Sequence, residues 1–385
     1  AWRRWTADDL PWLDGLAASQ VGYAPAATKR FTSPRPFGRL DVVDHDSGVS
    51  IWHSATPGRA LEAQAIASSA TLWEGVFTSV QRPGLYHLET DSGLRSHPFR
   101  IGTDLFDPAI RAVQRAFYFQ RAFTTIEHGF AEGPWTHADD SHRAPPGVRR
   151  GWHDAGDYSL YNMTAVSSLF WLLEAYHDFA ASDDRSAQSA RETARDTMNL
   201  PESGNGVPDL LDEARWELDW LLSVQDASGG FRNSTCLETY DAYGHNPIER
   251  GAPYVNGEIG TIPTARSVGI LADAAFTFRD IDTAYASRLL DAARRGWRYL
   301  VERPAEHSDG ATCPAFRQDG DAATGRAVRQ FAAAGLLVAT GEPQFESAFA
   351  APGDDVAPTD GDPSPYRFTW YAQLLYLRAA AADPQ

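Results

Sequence analysis

The stretch P-D-L-L-D-E-A-R-W-E-L-D-W-L-L-S-V-Q, residues 208–225, carries the pattern of an amphipathic helix. Its apolar residues recur every three or four positions and fall on one side of a helix. The same spacing runs through residues 160–179. Further helices are predicted at 107–121, 263–280, 283–302, 324–340 and 366–382. The loops between these helices are long and rich in Gly, Asp, His and aromatic residues, which favours an α/α toroid over a compact bundle.

The first hundred residues have a different pattern. Short alternating stretches are separated by Gly, Pro, Asp and Ser, which predicts a small β-sandwich. The predicted strands lie within residues 20–23, 38–43, 49–53, 70–77, 84–88 and 96–102. We therefore divide the chain into an all-β domain at residues 1–104 and an all-α domain at residues 105–385.

Bulk composition narrows the possible partners. The net charge is −17, so the phosphate backbone of a nucleic acid would be repelled, whereas a neutral sugar polymer would not. The chain has 12 Trp, whose faces can stack on sugars or pack in a core. No apolar run approaches the ~20 residues that span a bilayer. The two cysteines, Cys236 and Cys313, could form one disulfide, but the sequence does not show whether they are close enough.

The strongest chemical signal is the run Gly151-Trp152-His153-Asp154-Ala155-Gly156-Asp157-Tyr158. Asp154 and Asp157 can converge on one small volume if the backbone turns between them, and Ala155 and Gly156 leave room for that turn. Two carboxylates that share one water make it more basic, and their repulsion keeps at least one of them poised near neutral pH. The plain alternative is a calcium site or a surface cluster of aspartates.

This run resembles the catalytic-base motif of glycoside hydrolase family 9, the cellulase family with an (α/α)6 barrel. Residues 201–213 leading into the helix at 214–225 resemble the second signature of that family, and Gly229-Gly230-Phe231 resembles the turn after it. Residues 261–265 and 339–343 also fit. Upstream, residues 20–23 and 96–102 resemble the first and last strands of the immunoglobulin-like module that often precedes such domains.

The resemblance implies an inverting endo-β-1,4-glucanase that acts on cellulose-like β-glucan. It makes Asp157 the general base and Asp154 its partner in holding the water. Four residues in or beside the loops are our candidates for sugar contacts: Trp152, Tyr158, Trp135 and His137. Such an enzyme would be secreted, its signal peptide already removed. Two alternatives stay open: an exo-acting β-glucosidase or glucosaminidase of the same family, and a non-catalytic carbohydrate-binding derivative.

The chain departs from the family pattern in its general acid. The family places this Glu on a late segment of the barrel, and nothing near residue 385 matches its motif. We count about eight helices where the resemblance implies twelve, so we expect the C-terminal part of the toroid to be missing. Glu342 and Glu346 lie in a stretch that connects helices, and we do not assign the role to them.

A second departure concerns metal ions. Some relatives hold a structural zinc with cysteines at two positions that are Ala122 and Ser141 here, together with the equivalents of His142 and His153. Two imidazoles without thiolates make a poor tetrahedral site, so we expect no zinc and read His153 as orienting Asp154. Asp-rich loops leave a structural calcium open, although no EF-hand spacing is present.

Four acidic residues crowd the beginning of the helix at 208–225: Asp209, Asp212, Glu213 and Glu217. Negative charge is favourable near the N-terminus of a helix because it opposes the helix dipole. We therefore predict an electrostatic role for these four residues and not a catalytic one.

Overall fold

The structure is a computed structural model that describes residues 15–61, 71–131, 133, 136–180, 195–239, 252–309, 313, 322–350 and 367–382. Contacts divide the chain into two compact units, Ala1–Ile110 and Arg111–Gln385. An all-β region comes first and helices dominate the rest, which confirms the predicted fold class.

The first unit contains two antiparallel sheets. Its strands are β1 (Arg30–Ser33), β2 (Leu40–Asp44), β3 (Ser50–Ser54), β4 (Arg59–Ala60), β5 (Trp73–Val76), β6 (Gly84–Thr90) and β7 (Phe99–Ile101). One sheet has the order β3-β2-β6-β7 and the other β1-β5-β4. Phe31 from the second sheet shares a buried cluster with Val42, Leu88 and Phe99 from the first. Alternation along the strands therefore produces a sandwich core, as in an immunoglobulin-like module.

The helices follow in chain order. They are α1 (Asp107–Phe119), α2 (His128–Ala131), α3 (Asn162–Ala175), α4 (Asp209–Ser223), α5 (Thr261–Phe278), α6 (Thr283–Val301), α7 (Ala322–Thr340), α8 (Pro343–Phe349) and α9 (Arg367–Ala382). Helix α5 is buried around nearly its whole circumference, because it packs against α3, α6 and α7. Helix α9 packs on α7, and α4 on α3. One continuous core runs through these helices.

In the part of the chain that the structure describes, six short strands lie between the helices, where the sequence predicts only loops and helix starts. They are β8 (Leu160–Tyr161), β9 (Phe231–Arg232), β10 (Ser234–Leu237), β11 (Tyr254–Asn256), β12 (Ile259–Gly260) and β13 (Ser308–Asp309). Leu160 and Tyr161 pair with β10, so the helix predicted to begin at 160 begins at Asn162. The helical spacing was misleading at these two residues because a strand from elsewhere in the chain pairs with them.

Two further features concern the cysteines and the membrane. Cys236 and Cys313 form a disulfide with their Cα atoms 6.1 Å apart, which answers the question that the sequence left open. Among the described residues, no helix combines the length and the apolar character needed to cross a membrane.

Candidate active site

The candidate site is a loop, residues 151–158, and its backbone begins in a left-handed conformation. Arg150 has a φ of 61° and Gly151 a φ of 100°. A Cβ atom at Gly151 would lie 2.3 Å from Leu160 Cδ2 and 2.9 Å from Trp220 Cγ. Only glycine fits this position. Any other residue would be strained at this φ, and its Cβ atom would clash with the core.

Helix α4 holds the beginning of the loop at two successive residues. The Trp216 indole N–H donates to the Gly151 carbonyl at 3.1 Å. The Trp152 backbone N–H donates to Glu217 Oε2 at 2.6 Å. Both contacts are buried, so the loop leaves the core from a fixed point.

Hydrogen bonds also close the loop on itself. The Asp154 N–H donates to the Ser159 carbonyl at 2.8 Å. The Tyr158 carbonyl accepts from His153 Nδ1 at 2.8 Å and from the Tyr254 hydroxyl at 3.1 Å. Tyr158 has a φ of 61°, a conformation that persists only when its surroundings hold it. The loop is therefore a tight turn that presents Asp154 and Asp157 together.

The two aspartates have different environments. Asp157 is 6% exposed, and its Oδ2 accepts from the Tyr161 hydroxyl at 2.8 Å. Asp154 is the more exposed of the two on the loop surface, and it also lines a partly enclosed cavity. Partial burial raises the pKa of Asp154, and the charge of Asp157 raises it further, whereas a hydrogen bond from Thr164 opposes the shift. The pair therefore interacts electrostatically, as expected for two carboxylates that share a water.

A cavity of about 130 Å³ lies beside Asp154. Its walls come from the loop, from α1, from the beginning of α3 and from α4. The lining residues are Phe117, Gln120, Trp152, His153, Asp154, Tyr161, Thr164, Ala165, Ser168 and Glu217. The polar side chains in this lining can donate or accept hydrogen bonds, so the cavity suits water or a sugar hydroxyl.

The residues predicted to contact sugar are placed as follows. Trp152 lines the cavity but is only 6% exposed, and its ring lies 4.6 Å from that of Phe117. The Tyr158 ring meets His153 edge-on at 5.2 Å. His137 is half-buried, 6.2 Å from the His153 ring. Trp135 lies outside the described residues. Sugar contact by these four side chains stays a prediction.

The prediction that Glu213 and Glu217 serve the helix dipole is wrong. Glu213 pairs with the buried guanidinium of Arg121 at 2.5 Å, and Glu217 accepts from the loop backbone. Burial raises the pKa of both carboxyls. The sequence held a signal for this outcome, because positions 213 and 217 fall on the side of α4 that carries the apolar residues. Tyr161 was likewise missed, since it was counted within a helix.

The residues at the family's zinc position do not fit a zinc ion. Ala122 offers no donor atom, and Ser141 and His142 are exposed while His153 is buried. Among the described residues, no three or more His, Cys, Asp or Glu side chains are grouped to hold a metal ion. His153 instead donates through Nδ1, and burial lowers its pKa to about 4. His153 is therefore neutral, and its hydrogen bond to the Tyr158 carbonyl holds the loop closed. The expected absence of zinc and the possible structural calcium both stay predictions.

Comparison with known proteins identifies the class to which this fold and loop belong. Residues 106–382 match the family described as glycosyl hydrolase family 9. That match covers well over half of the chain, and the chain belongs to glycosyl hydrolase family 9.

Curated relatives are longer than this chain. Endoglucanase D of Acetivibrio thermocellus is 24% identical over 307 residues, which are 75% of this chain and 46% of the relative. Endoglucanase C of Cellulomonas fimi is 28% identical over 371 residues, which are 86% of this chain and 32% of the relative. The chain thus spans less than half the length of either relative.

Solved structures show the same fold. A Bacteroides ovatus GH9 protein matches with a TM-score of 0.76 at 21% identity, covering 96% of this chain and 73% of its own. AaCel9A in complex with cellobiose-like isofagomine matches with a TM-score of 0.78 at 24% identity, covering 96% and 67%. The helical unit is therefore of the (α/α)6 type.

Proposed function

We propose that this protein hydrolyses β-1,4-glucosidic bonds in cellulose-like glucans with inversion, and that Asp157 is the general base. The observation that supports this most is the closed loop 151–158, which carries two interacting aspartates, one of which, Asp154, lines a polar cavity. Family membership and the names of the relatives, endoglucanases among them, support the same reaction class.

The geometry suits Asp157 to remove a proton from water. Its Oδ2 is held by the Tyr161 hydroxyl at 2.8 Å, which fixes the orientation of the carboxyl group. Asp154 holds the same water and keeps negative charge near the proton that is transferred. As the water oxygen bonds to the anomeric carbon, its proton passes to Asp157, and the glycosidic oxygen leaves with a proton from a separate acid.

That separate acid must stand across the glycosidic bond from the base. In inverting glycosidases the two carboxyl groups are about 6.5–9.5 Å apart, which leaves room for the water. Asp154 and Asp157 belong to one tight turn, so they share the water and do not act as acid and base to each other. Glu342 does not suit the role either, because its ion pair with Arg294 lowers its pKa and keeps the carboxyl ionised.

We also propose that the reaction takes place outside the cell. A glucan polymer is too large to be taken up intact, and the Cys236–Cys313 disulfide suits an oxidising compartment.

The test compares wild type with Asp157→Asn on soluble carboxymethyl cellulose, measured as the release of reducing ends. We expect a loss of about 10²–10⁴-fold, the range of general base catalysis. Asp226→Asn is the matched control. Asp226 lies in the turn after α4, so this substitution should leave the activity unchanged. Full activity of Asp157→Asn would refute the assignment. An inactive wild type would favour the non-catalytic derivative, and glucose as the first product would favour exo action.

A further inference from the structure

Among the described residues, two side chains of α4 bond to the backbone of the loop, and of these Glu217 reaches the residue closer to Asp154, Trp152. It lies in the third turn of the helix, where the helix dipole gives it no purpose, and it is 1% exposed. A carboxyl group buried this deeply is costly unless something holds it. Its Oε2 is held by the Trp152 N–H at 2.6 Å, and the carboxyl forms part of the cavity wall that also contains Asp154.

We infer that Glu217 is a positioning residue for water activation: it anchors the Trp152 backbone and so sets where Asp154 and Asp157 stand. This inference rests on the proposed function. Trp152 precedes Asp154 by two residues, and the bond to Glu217 is the last link to α4 before the chain turns. A shift of the Trp152 backbone would therefore move Asp154 directly.

The environment of Glu217 indicates which form of its carboxyl group does this. Burial raises its pKa well above the usual range, and the charges of Glu213 and Asp154 raise it further, against the opposing Trp152 N–H. Arg121, which pairs with Glu213 one turn earlier on α4, is occupied by that carboxyl group and by Glu202. A neutral carboxyl group can accept the Trp152 N–H through one oxygen and donate from the other. A neutral carboxyl group at Glu217 also adds no negative charge to those of Asp154 and Asp157.

A glutamine can reproduce this arrangement. Its carbonyl oxygen accepts the Trp152 N–H, and its amide N–H groups can face the cavity, which at about 130 Å³ has room for about four waters. A leucine has a similar volume and no acceptor. The pair Glu217→Gln and Glu217→Leu therefore separates the hydrogen bond from the packing.

The experiment measures kcat and KM on carboxymethyl cellulose together with amide hydrogen exchange of the segment 151–158. We expect Glu217→Leu to lose exchange protection there and about 10–100-fold in kcat with little change in KM, since displacement by about 1 Å costs about 100-fold. Glu217→Gln should keep both within about threefold. Glu174→Ala is the control. Glu174 lies on α3 ten residues after Thr164, which puts it about 15 Å from the cavity along the helix, and its carboxyl group pairs with Arg378. This substitution should therefore lower the stability and leave kcat and loop protection unchanged.

Three results would overturn the inference. One is a Glu217→Leu protein that keeps kcat and loop protection. Another is a Glu217→Gln protein as impaired as the leucine variant, which would assign a charged role to Glu217. The third is rapid exchange of the Trp152 amide in the wild type, a measurement that holds even if the leucine variant does not fold. If the wild type hydrolyses nothing, the proposed function fails, and the exchange data alone decide the role of Glu217.

Discussion

Replacing Gly151 with alanine should destabilise the helical unit more than any other single-methyl change in the loop 151–158. Two costs add. An L-residue at a φ of 100° costs about 1–3 kcal/mol. The new Cβ, 2.3 Å from Leu160 Cδ2 and 2.9 Å from Trp220 Cγ, costs about 1–3 kcal/mol more, because two buried side chains must shift.

Gly147→Ala separates these two costs. Gly147 also has a positive φ, 84°, but a Cβ atom there would meet nothing within 4 Å. It therefore carries the conformational cost alone, and Gly151→Ala should lie about 1–3 kcal/mol below it in unfolding free energy. In calorimetry this difference corresponds to roughly 2–4 °C of Tm per kcal/mol. If the two variants unfolded at the same temperature, the packing argument for Gly151 would be wrong.

Three further predictions concern stability. Arg121→Met should cost about 3–5 kcal/mol in urea unfolding because it strands two glutamates, whereas Arg279→Met, at an exposed pair, should change it by less than about 1 kcal/mol. In the unfolded chain His153 is protonated below about pH 6.5, whereas in the folded protein burial keeps it neutral down to about pH 4. Stability should therefore fall as pH drops through this window, and His153→Gln should remove about 3 kcal/mol of that fall. Stability curves against pH that stay parallel for the wild type and the variant would contradict this. Cys236→Ala with Cys313→Ala opens a crosslink of 77 residues and should cost about 2–5 kcal/mol; an unchanged Tm would contradict it.

The helices were predictable from sequence because their signal is local. The pattern at 208–225 corresponds to α4, Asp209–Ser223, within two residues at each end. The short strands were not predictable, since Leu160 pairs with Thr235, far along the chain, and two-residue strands have no period to detect.

The candidate site divides in the same way. Asp154 and Asp157 stand out in the sequence because Ala155 and Gly156 make the turn between them. The groups that hold the loop do not, because Glu217 meets Trp152 across 65 residues. A buried carboxyl on an apolar helix side is visible as a pattern, but its partner is decided by tertiary packing.

The most direct test of the central claim is the rescue of Asp157→Ala by azide. Azide is an anionic nucleophile that needs no proton removed, so it can replace both the water and its base. If Asp157 is the general base, the variant should be nearly inactive in buffer, and added azide should restore cleavage and yield the α-glycosyl azide. A variant that is fully active without azide, or one whose azide product is the β-anomer, would contradict the account.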